Sequence, residues 1–294
     1  MSATTSSERR MTTLDMRLKK ERGLPITWLT AYDYPTALAI DRAGMDGILV
    51  GDSLGMVVLG YATTLPVTMD EMIHHCKAVA RGARRALLVG DMPFLSYQVS
   101  PEEAVRNAGR FLQEGGMDAV KLEGGESILP SLQAIIAAGI PVMGHLGLTP
   151  QSIHQLGGYR VQGKTAAAAR RLIEDALRLE RAGCFSIVLE SIPARLGQLV
   201  SRRLGIPTIG IGAGAGCDGQ VLVTHDLLGL FDRFTPKFAK RYADFNGEMA
   251  RAFNRYREEV EQHAFPAAEH SAEMPDEEWH ALLADLGEPG ADEP

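Results

Sequence analysis

Four apolar runs in this chain each end on a carboxylate. Ile48-Leu49-Val50-Gly51 leads to Asp52, Leu87-Leu88-Val89-Gly90 to Asp91, Val120-Lys121-Leu122 to Glu123, and Ile187-Val188-Leu189 to Glu190. A parallel strand covered on both faces is apolar along nearly its whole length. An acid at its last residue is therefore costly to bury unless something binds it. Asp52, Asp91 and Glu123 have no Cys or His beside them, which favours a hard, oxygen-seeking ion. Mg²⁺ typically takes one or two carboxylates with waters and substrate oxygens. Taken singly, each acid could equally be a helix cap or a loop ion pair.

Lys121 precedes Glu123 by two residues, so strand alternation points both side chains to one face. In a closed sheet that face is the interior, where a lysine needs an anionic partner. A substrate carboxylate or the metal-binding acids would serve. A structural Lys-Glu pair is the plainer alternative, and a Schiff-base lysine is a third. Glu190 stands apart on a later run and suits a general base, or it caps the segment that follows. His145 could hydrogen-bond a substrate oxygen or be a satisfied core histidine. His74 and His75 are adjacent on a helix and cannot share a face. The run from Gly210 to Gly216 reads either as a backbone cradle for phosphate or as a tight turn allowing close approach. Together these residues point to a metal-assisted enzyme for a small anion, with proton abstraction next to a metal-bound carbonyl.

The elements that must position them alternate along the chain. Apolar runs at 25–31, 47–50, 86–90, 119–122, 141–145, 186–189, 207–211 and 221–224 read as strands. Helical stretches lie at 33–43, 69–82, 101–114, 128–138, 165–182 and 194–204. Thr68 and Ser100 sit where helix caps belong, and Pro101 at a first helical position. Strand-helix alternation implies a parallel sheet, and eight units across about 230 residues match a closed (β/α)8 barrel. An open doubly wound sheet is the alternative. A parallel barrel gathers its active site at the C-terminal ends of its strands, where all four acids fall.

Bulk properties exclude other classes. The 294 residues carry a net charge of -7, which disfavours a nucleic-acid surface. The three cysteines, Cys76, Cys184 and Cys217, are widely spaced without a CxxC, as suits a reducing cytoplasm. No apolar run approaches the roughly 20 residues of a membrane helix. Residues 1–22 read as a flexible start with a short helix over 13–21. They have no apolar core of a secretory signal, and Glu8, Asp15 and Glu21 disfavour an organelle transit peptide. The barrel is expected over 23–263. Residues 264–294 read as an acidic, mostly disordered tail with one short docking helix around Trp279 to Leu283.

At these same residues the chain resembles the ketopantoate hydroxymethyltransferase (3-methyl-2-oxobutanoate hydroxymethyltransferase) family. The matching blocks include Thr30-Ala31-Tyr32-Asp33-Tyr34, Val50-Gly51-Asp52-Ser53-Leu54-Gly55-Met56 and Asp91-Met92-Pro93-Phe94. Val120-Lys121-Leu122-Glu123-Gly124-Gly125 and Gly144-His145-Leu146-Gly147-Leu148-Thr149-Pro150-Gln151 follow. Ile209-Gly210-Ile211-Gly212-Ala213-Gly214 and Pro236-Lys237-Phe238-Ala239-Lys240 complete a series in family order from about Thr12 to Val260. The resemblance implies a (β/α)8 TIM barrel of the phosphoenolpyruvate/pyruvate superfamily, assembled as a homodecamer. It implies hydroxymethyl transfer from 5,10-methylenetetrahydrofolate to 3-methyl-2-oxobutanoate, for pantothenate synthesis. It assigns Mg²⁺ to Asp52, Asp91 and Glu123, directly or through water. The ketoacid goes to Asp52, Ser53, Asp91 and Lys121, and the role of base to Glu190. Another Mg²⁺-dependent lyase or mutase of the superfamily is the alternative. No aromatic-plus-acid pterin site stands out in the sequence.

Overall fold

A computed structural model describes residues 9–288. Residues 1–8 of the expected flexible start and 289–294 of the expected acidic tail lie outside the described residues. Eight strands follow in order: β1 Ile26–Thr30, β2 Gly47–Val50, β3 Leu87–Asp91, β4 Ala119–Glu123, β5 Val142–Gly147, β6 Ser186–Glu190, β7 Thr208–Ile211 and β8 Gly219–Leu222. Each pairs in parallel with the next, and β8 closes on β1. The sheet is therefore the (β/α)8 barrel and not the open doubly wound alternative. The helices of the first unit are α1 Thr13–Glu21 before β1, the crossover segments α2 Tyr34–Arg42, α3 Leu54–Val57, α4 Met69–Gly82, α5 Pro101–Gln113, α6 Leu129–Ala137, α7 Ile153–Leu156, α8 Ala166–Ala182 and α9 Ala194–Arg203, and α10 Thr224–Leu228 after β8.

Period-two alternation divides the strand residues between two cores. Outward side chains such as Ile48, Leu88, Val120, Leu122 and Leu189 pack into the shell beneath the helices, with Met72, Phe111, Leu132 and Leu179. Inward ones (Trp28, Leu49, Leu87, Val89, Met143, Val188, Ile209 and Val221 among them) fill the barrel itself. Layers of bulky inward side chains make such a barrel a packed core and not a pore.

The N-terminal mouth is closed by α1. Thr12 and Asp15 form its capping box, and Met16, 1% exposed, joins the interior cluster. Lys19 and Lys20 then pin the helix to the loops below, at 2.6 Å from Asp46 and 2.8 Å from Asp218. At the seam β8 begins at Gly219, earlier than the expected 221. A Cβ there would stand 2.4 Å from the Ile26 carbonyl oxygen, so only glycine lets the closing strand approach β1. That requirement hides the strand from an apolar-run reading.

The chain divides into two compact units at Ala243, short of the expected barrel end at residue 263. The second unit contains α11 Phe245–Glu261, capped by Asp244, and α12 Asp276–Leu286, which carries the Trp279 patch. Among the described residues, no helix is long and apolar enough to cross a membrane.

Met16→Ala removes the side chain that plugs the barrel floor. Loss of a buried methionine typically costs about 2–5 kcal/mol, so the denaturant midpoint should fall measurably. An unchanged midpoint would show that the floor adds nothing to the core.

Candidate active site

Strand register sets the charged residues side by side. Asp91 on β3 is the Cα partner of Lys121 on β4. Glu123 on β4 is the partner of His145 on β5, and Gly147 on β5 the partner of Glu190 on β6. Asp52 lies just past the end of β2. Asp52, Asp91, Lys121, Glu123 and His145 are all buried. Lys121 Nζ is 2.8 Å from Asp91 Oδ1 and 3.5 Å from Glu123 Oε1, and 3.1 Å from His145 Nδ1. The Lys121–Asp91 contact is an ion pair whose angle falls outside good hydrogen-bond geometry. Asp52, Asp91 and Glu123 each offer an oxygen within 4.8 Å of the other two.

Two residues that sequence reasoning did not single out knit this cluster together. Gln151 sits in a 3-10 turn (Pro150–Ser152) after β5 and is buried. Its Nε2 donates to Asp52 Oδ2 and to the Met92 carbonyl, both at 2.9 Å. Its backbone N–H donates to Glu123 Oε2 at 3.0 Å. Tyr97, from the loop after β3, donates its hydroxyl hydrogen to Gln151 Oε1 at 2.7 Å and accepts the Glu123 backbone N–H at 3.1 Å. One loop residue thus orients two of the three carboxylates, Asp52 through its side-chain amide and Glu123 through its backbone N–H. The only sequence signal was Gln151's place in a family-like block; nothing in periodicity marks a loop glutamine.

Electrostatics show what the cluster lacks. Burial, reinforced by Asp91 and Glu123, lifts Asp52 well above the ordinary carboxylate range. Burial also lifts Asp91, with Lys121 pulling the other way. At Glu123 burial is outweighed by Lys121 and His145, which bring it down to about 2. Burial and Lys121 oppose charge on His145, yet Glu123 and Glu190 carry it to about 9. Three converging acids with one lysine between them are short of positive charge. The all-oxygen donor set and that deficit fit a hard divalent cation.

Glu190 is separate. It is outside the three-acid group, more exposed than the others, and its Oε2 lies 3.2 Å from His145 Nε2, a contact off hydrogen-bond alignment. The next residue, Ser191, holds φ +46, a left-handed conformation uncommon for serine. Hydrogen bonds from the Ser191 N–H to Ile211 O and from the Gln162 N–H to Ser191 O, both 2.9 Å, keep it there. His145, left open by the sequence, bridges Glu190 to the lysine cluster. Ser53 Oγ is 2.8 Å from the Tyr32 hydroxyl. His75 Nδ1 is 2.6 Å from the Tyr32 carbonyl oxygen, so it serves the scaffold. In the glycine run, Gly212 packs against Phe238 and Gly214 against Ala194, as in a tight, closely packed turn.

These groups line a cavity of about 460 Å³. Leu49, Val188, Ile211 and Val221 supply apolar wall from the barrel interior, and Asp52, Ser53, Asp91, Lys121, Glu123 and Glu190 supply the polar groups. Half-exposed aromatics complete the lining: Tyr159 and Phe234 with ring centroids 6.5 Å apart, Phe231 at 5.8 Å from Phe234, and Phe238.

The profile of the ketopantoate hydroxymethyltransferase family matches residues 10–268. The 3-methyl-2-oxobutanoate hydroxymethyltransferase of Oleidesulfovibrio alaskensis is 59% identical over 276 residues, 94% of this chain and 95% of that one. This chain belongs to the ketopantoate hydroxymethyltransferase family. The Moorella thermoacetica protein of the same name is 61% identical over 262 residues, 89% of this chain and 97% of that one. Solved structures extend the fold relationship. A phosphonopyruvate hydrolase in complex with oxalate and Mg²⁺ superposes with a TM-score of 0.59 at 13% identity, covering 93% of this chain and 98% of that one. A 2,3-dimethylmalate lyase of the PEP mutase/isocitrate lyase superfamily gives 0.56 at 16%, covering 94% and 95%. At such identities the likeness shows the barrel architecture alone.

For this family member, Gln151→Ala should free the Asp52 carboxylate to turn, while the backbone N–H at position 151 still holds Glu123. Loss of a partner behind a ligand typically costs about 10–100-fold in metal affinity, so calorimetric titration with Mg²⁺ should show weakening of that order. Unchanged affinity would detach Gln151 from the cation site.

Proposed function

We propose that this chain transfers a hydroxymethyl group from 5,10-methylenetetrahydrofolate to 3-methyl-2-oxobutanoate, giving 2-dehydropantoate and tetrahydrofolate. The observation that carries this reading beyond family membership is the buried convergence of Asp52, Asp91 and Glu123 around Lys121, in one cavity with a separate acid, Glu190. Asp52, Asp91 and Glu123 would hold Mg²⁺, directly or through water. When bound, the ion supplies Lewis-acid polarisation of the ketoacid's keto oxygen, lowering the cost of carbanion character at C3.

The chain's own residues then divide the work. Asp52 and Asp91 face the ketoacid from the cation side. Lys121, held in the barrel by Asp91, presents a fixed positive charge to the substrate's anionic end. Ser53, whose hydroxyl is oriented by Tyr32, adds a hydrogen bond. Glu190 takes the C3 proton as general base, with His145 beside its carboxylate to steady the side chain. The carbanion so formed attacks the folate methylene carbon as one of its two carbon–nitrogen bonds breaks; water then adds its oxygen to that carbon as the second breaks, and the C3 proton and a water proton end on the two nitrogens of the released tetrahydrofolate. The apolar wall of Val188, Ile211 and Val221 suits the branched methyl groups of the ketoacid. A cytoplasmic homodecamer is the setting that accompanies this reading from the family resemblance.

Proton removal can be watched without folate, as exchange of the C3 hydrogen of 3-methyl-2-oxobutanoate in D₂O. A chelator should stop the exchange and added Mg²⁺ restore it. Glu190→Gln should slow it by about 10²–10⁴-fold, the usual worth of a general base, while ketoacid binding persists. An unchanged exchange rate in that variant would remove Glu190 from the role of base.

A further inference from the structure

The cavity carries polar groups that the ketoacid chemistry leaves unused. Asp226 on α10 is 7% exposed and lines the cavity, yet no described residue hydrogen-bonds its carboxylate. Its position is fixed because the Thr224 N–H donates to Thr30 Oγ1 at 3.0 Å, anchoring α10 to the end of β1. Burial pushes Asp226 up to about 6, against the pull of Arg241, whose Nη2 donates to Thr235 Oγ1 at 2.6 Å. Thr64 also lines the cavity, 2% exposed, and its hydroxyl has no hydrogen-bond partner among the described residues. Buried polar groups are almost always paired, so two unpaired ones on a single cavity point to a ligand that pairs them.

The kind of ligand follows from the donors and acceptors. A carboxylate is an acceptor only, so it calls for N–H groups, and it would repel an anionic ketoacid unless a cation stood between them. Asp226 is outside the three-acid group that could hold one. The same cavity has an aromatic wall: Tyr159 and Phe234 stand half-exposed and close together, a surface on which a flat heterocycle stacks. Arg160 and Lys237 line the same cavity, and neither has an ion pair among the described residues. An N–H-rich flat ring with an anionic tail satisfies all three features. At about 460 Å³ the cavity is of a size for a drug-sized ligand and exceeds what a five-carbon ketoacid needs.

We propose that Asp226 and Thr64 form a subsite for the pterin ring of the folate co-substrate. Asp226 accepts from the ring's N3–H and 2-amino group, Tyr159 and Phe234 stack on it, and Arg160 and Lys237 meet the carboxylates of its glutamate tail. The assignment rests on the proposed hydroxymethyl transfer and adds the residues that recognise the one-carbon donor.

The test uses the full-length protein, with tetrahydrofolate binding read by calorimetry and ketoacid C3 exchange in D₂O measured without folate. Asp226→Asn should weaken tetrahydrofolate by about 10–100-fold, the loss expected for a charge-assisted hydrogen bond. The same variant should raise the KM for 5,10-methylenetetrahydrofolate while exchange continues. Phe234→Ala, at a half-exposed position whose truncation cannot unfold the barrel, should weaken tetrahydrofolate several-fold. Parent-like affinity in both variants would overturn the subsite. So would loss of exchange together with folate binding in Asp226→Asn, which would place Asp226 in the ketoacid half. A parent protein that binds tetrahydrofolate but does not exchange would fault the transfer reading and leave the subsite standing.

Discussion

The ammonium group of Lys121, buried in the mouth of the barrel, is the charge around which the site is arranged. It faces Asp91 at 2.8 Å, Glu123 at 3.5 Å and His145 at 3.1 Å. Burial alone would drive it toward neutrality, but the surrounding carboxylates more than reverse that, and its pKa rises. The dependence is mutual. Without Lys121, Asp91 would lose its ion pair and Glu123 would keep only His145 at 3.4 Å, a costly arrangement for buried acids. With it the three acids are still only partly balanced, an imbalance that fits the proposed divalent cation.

Such an arrangement needs a scaffold that fixes side-chain direction, and strand pairing supplies it. Lys121 and Glu123 point inward because Val120 and Leu122 between them point outward into the helix shell. The neighbouring strands then deliver Asp91 and His145 in register. A slip of one residue in β4 would bury Val120 and Leu122 in the mouth and push both charges into the shell. The apolar shell thus holds the polar cluster in place. Gln151 and Tyr97 add the fine orientation from loops, which strands alone cannot give.

The difference between strands and loops also explains what could be read in advance. β2 and α4 fall where apolar runs and the Thr68 cap put them. The four strand-end acids were visible because a carboxylate closing an apolar run breaks a one-dimensional pattern. β8 was misplaced because its first residue is a glycine chosen for contact with Ile26 across the seam, a partner nearly 200 residues away in the chain. Gln151, Tyr97, Thr64 and Asp226 were not picked out for the same reason. Their significance lies in the partners they meet or lack in space, and no spacing in the sequence records that. Glu190, which stands apart from the other three acids in the sequence, is also apart in the register, two strands from Glu123 with His145 between them.

The acid cluster and the proposed ring subsite store free energy differently. In the acid cluster Gln151 holds Asp52 and Glu123, and Asp91 Oδ1 and His145 Nε2, though without hydrogen bonds, each face an oppositely charged partner, so the carboxylates are held in place before any ligand arrives. In the proposed ring subsite the buried Thr64 hydroxyl and the Asp226 carboxylate have no hydrogen bond from a described residue, which leaves theirs to be made with a ligand. Rigid satisfaction suits a site that must hold mutually repelling charges in a low-dielectric interior. Unmet donors and acceptors suit one that must choose among flat heterocycles, because a ligand lacking the matching groups leaves the penalty in place. The two sets draw on different elements of one barrel: the strand ends of β2 to β6 for the charges, and α10 with the loops at 159–161 and 231–238 for the proposed ring subsite.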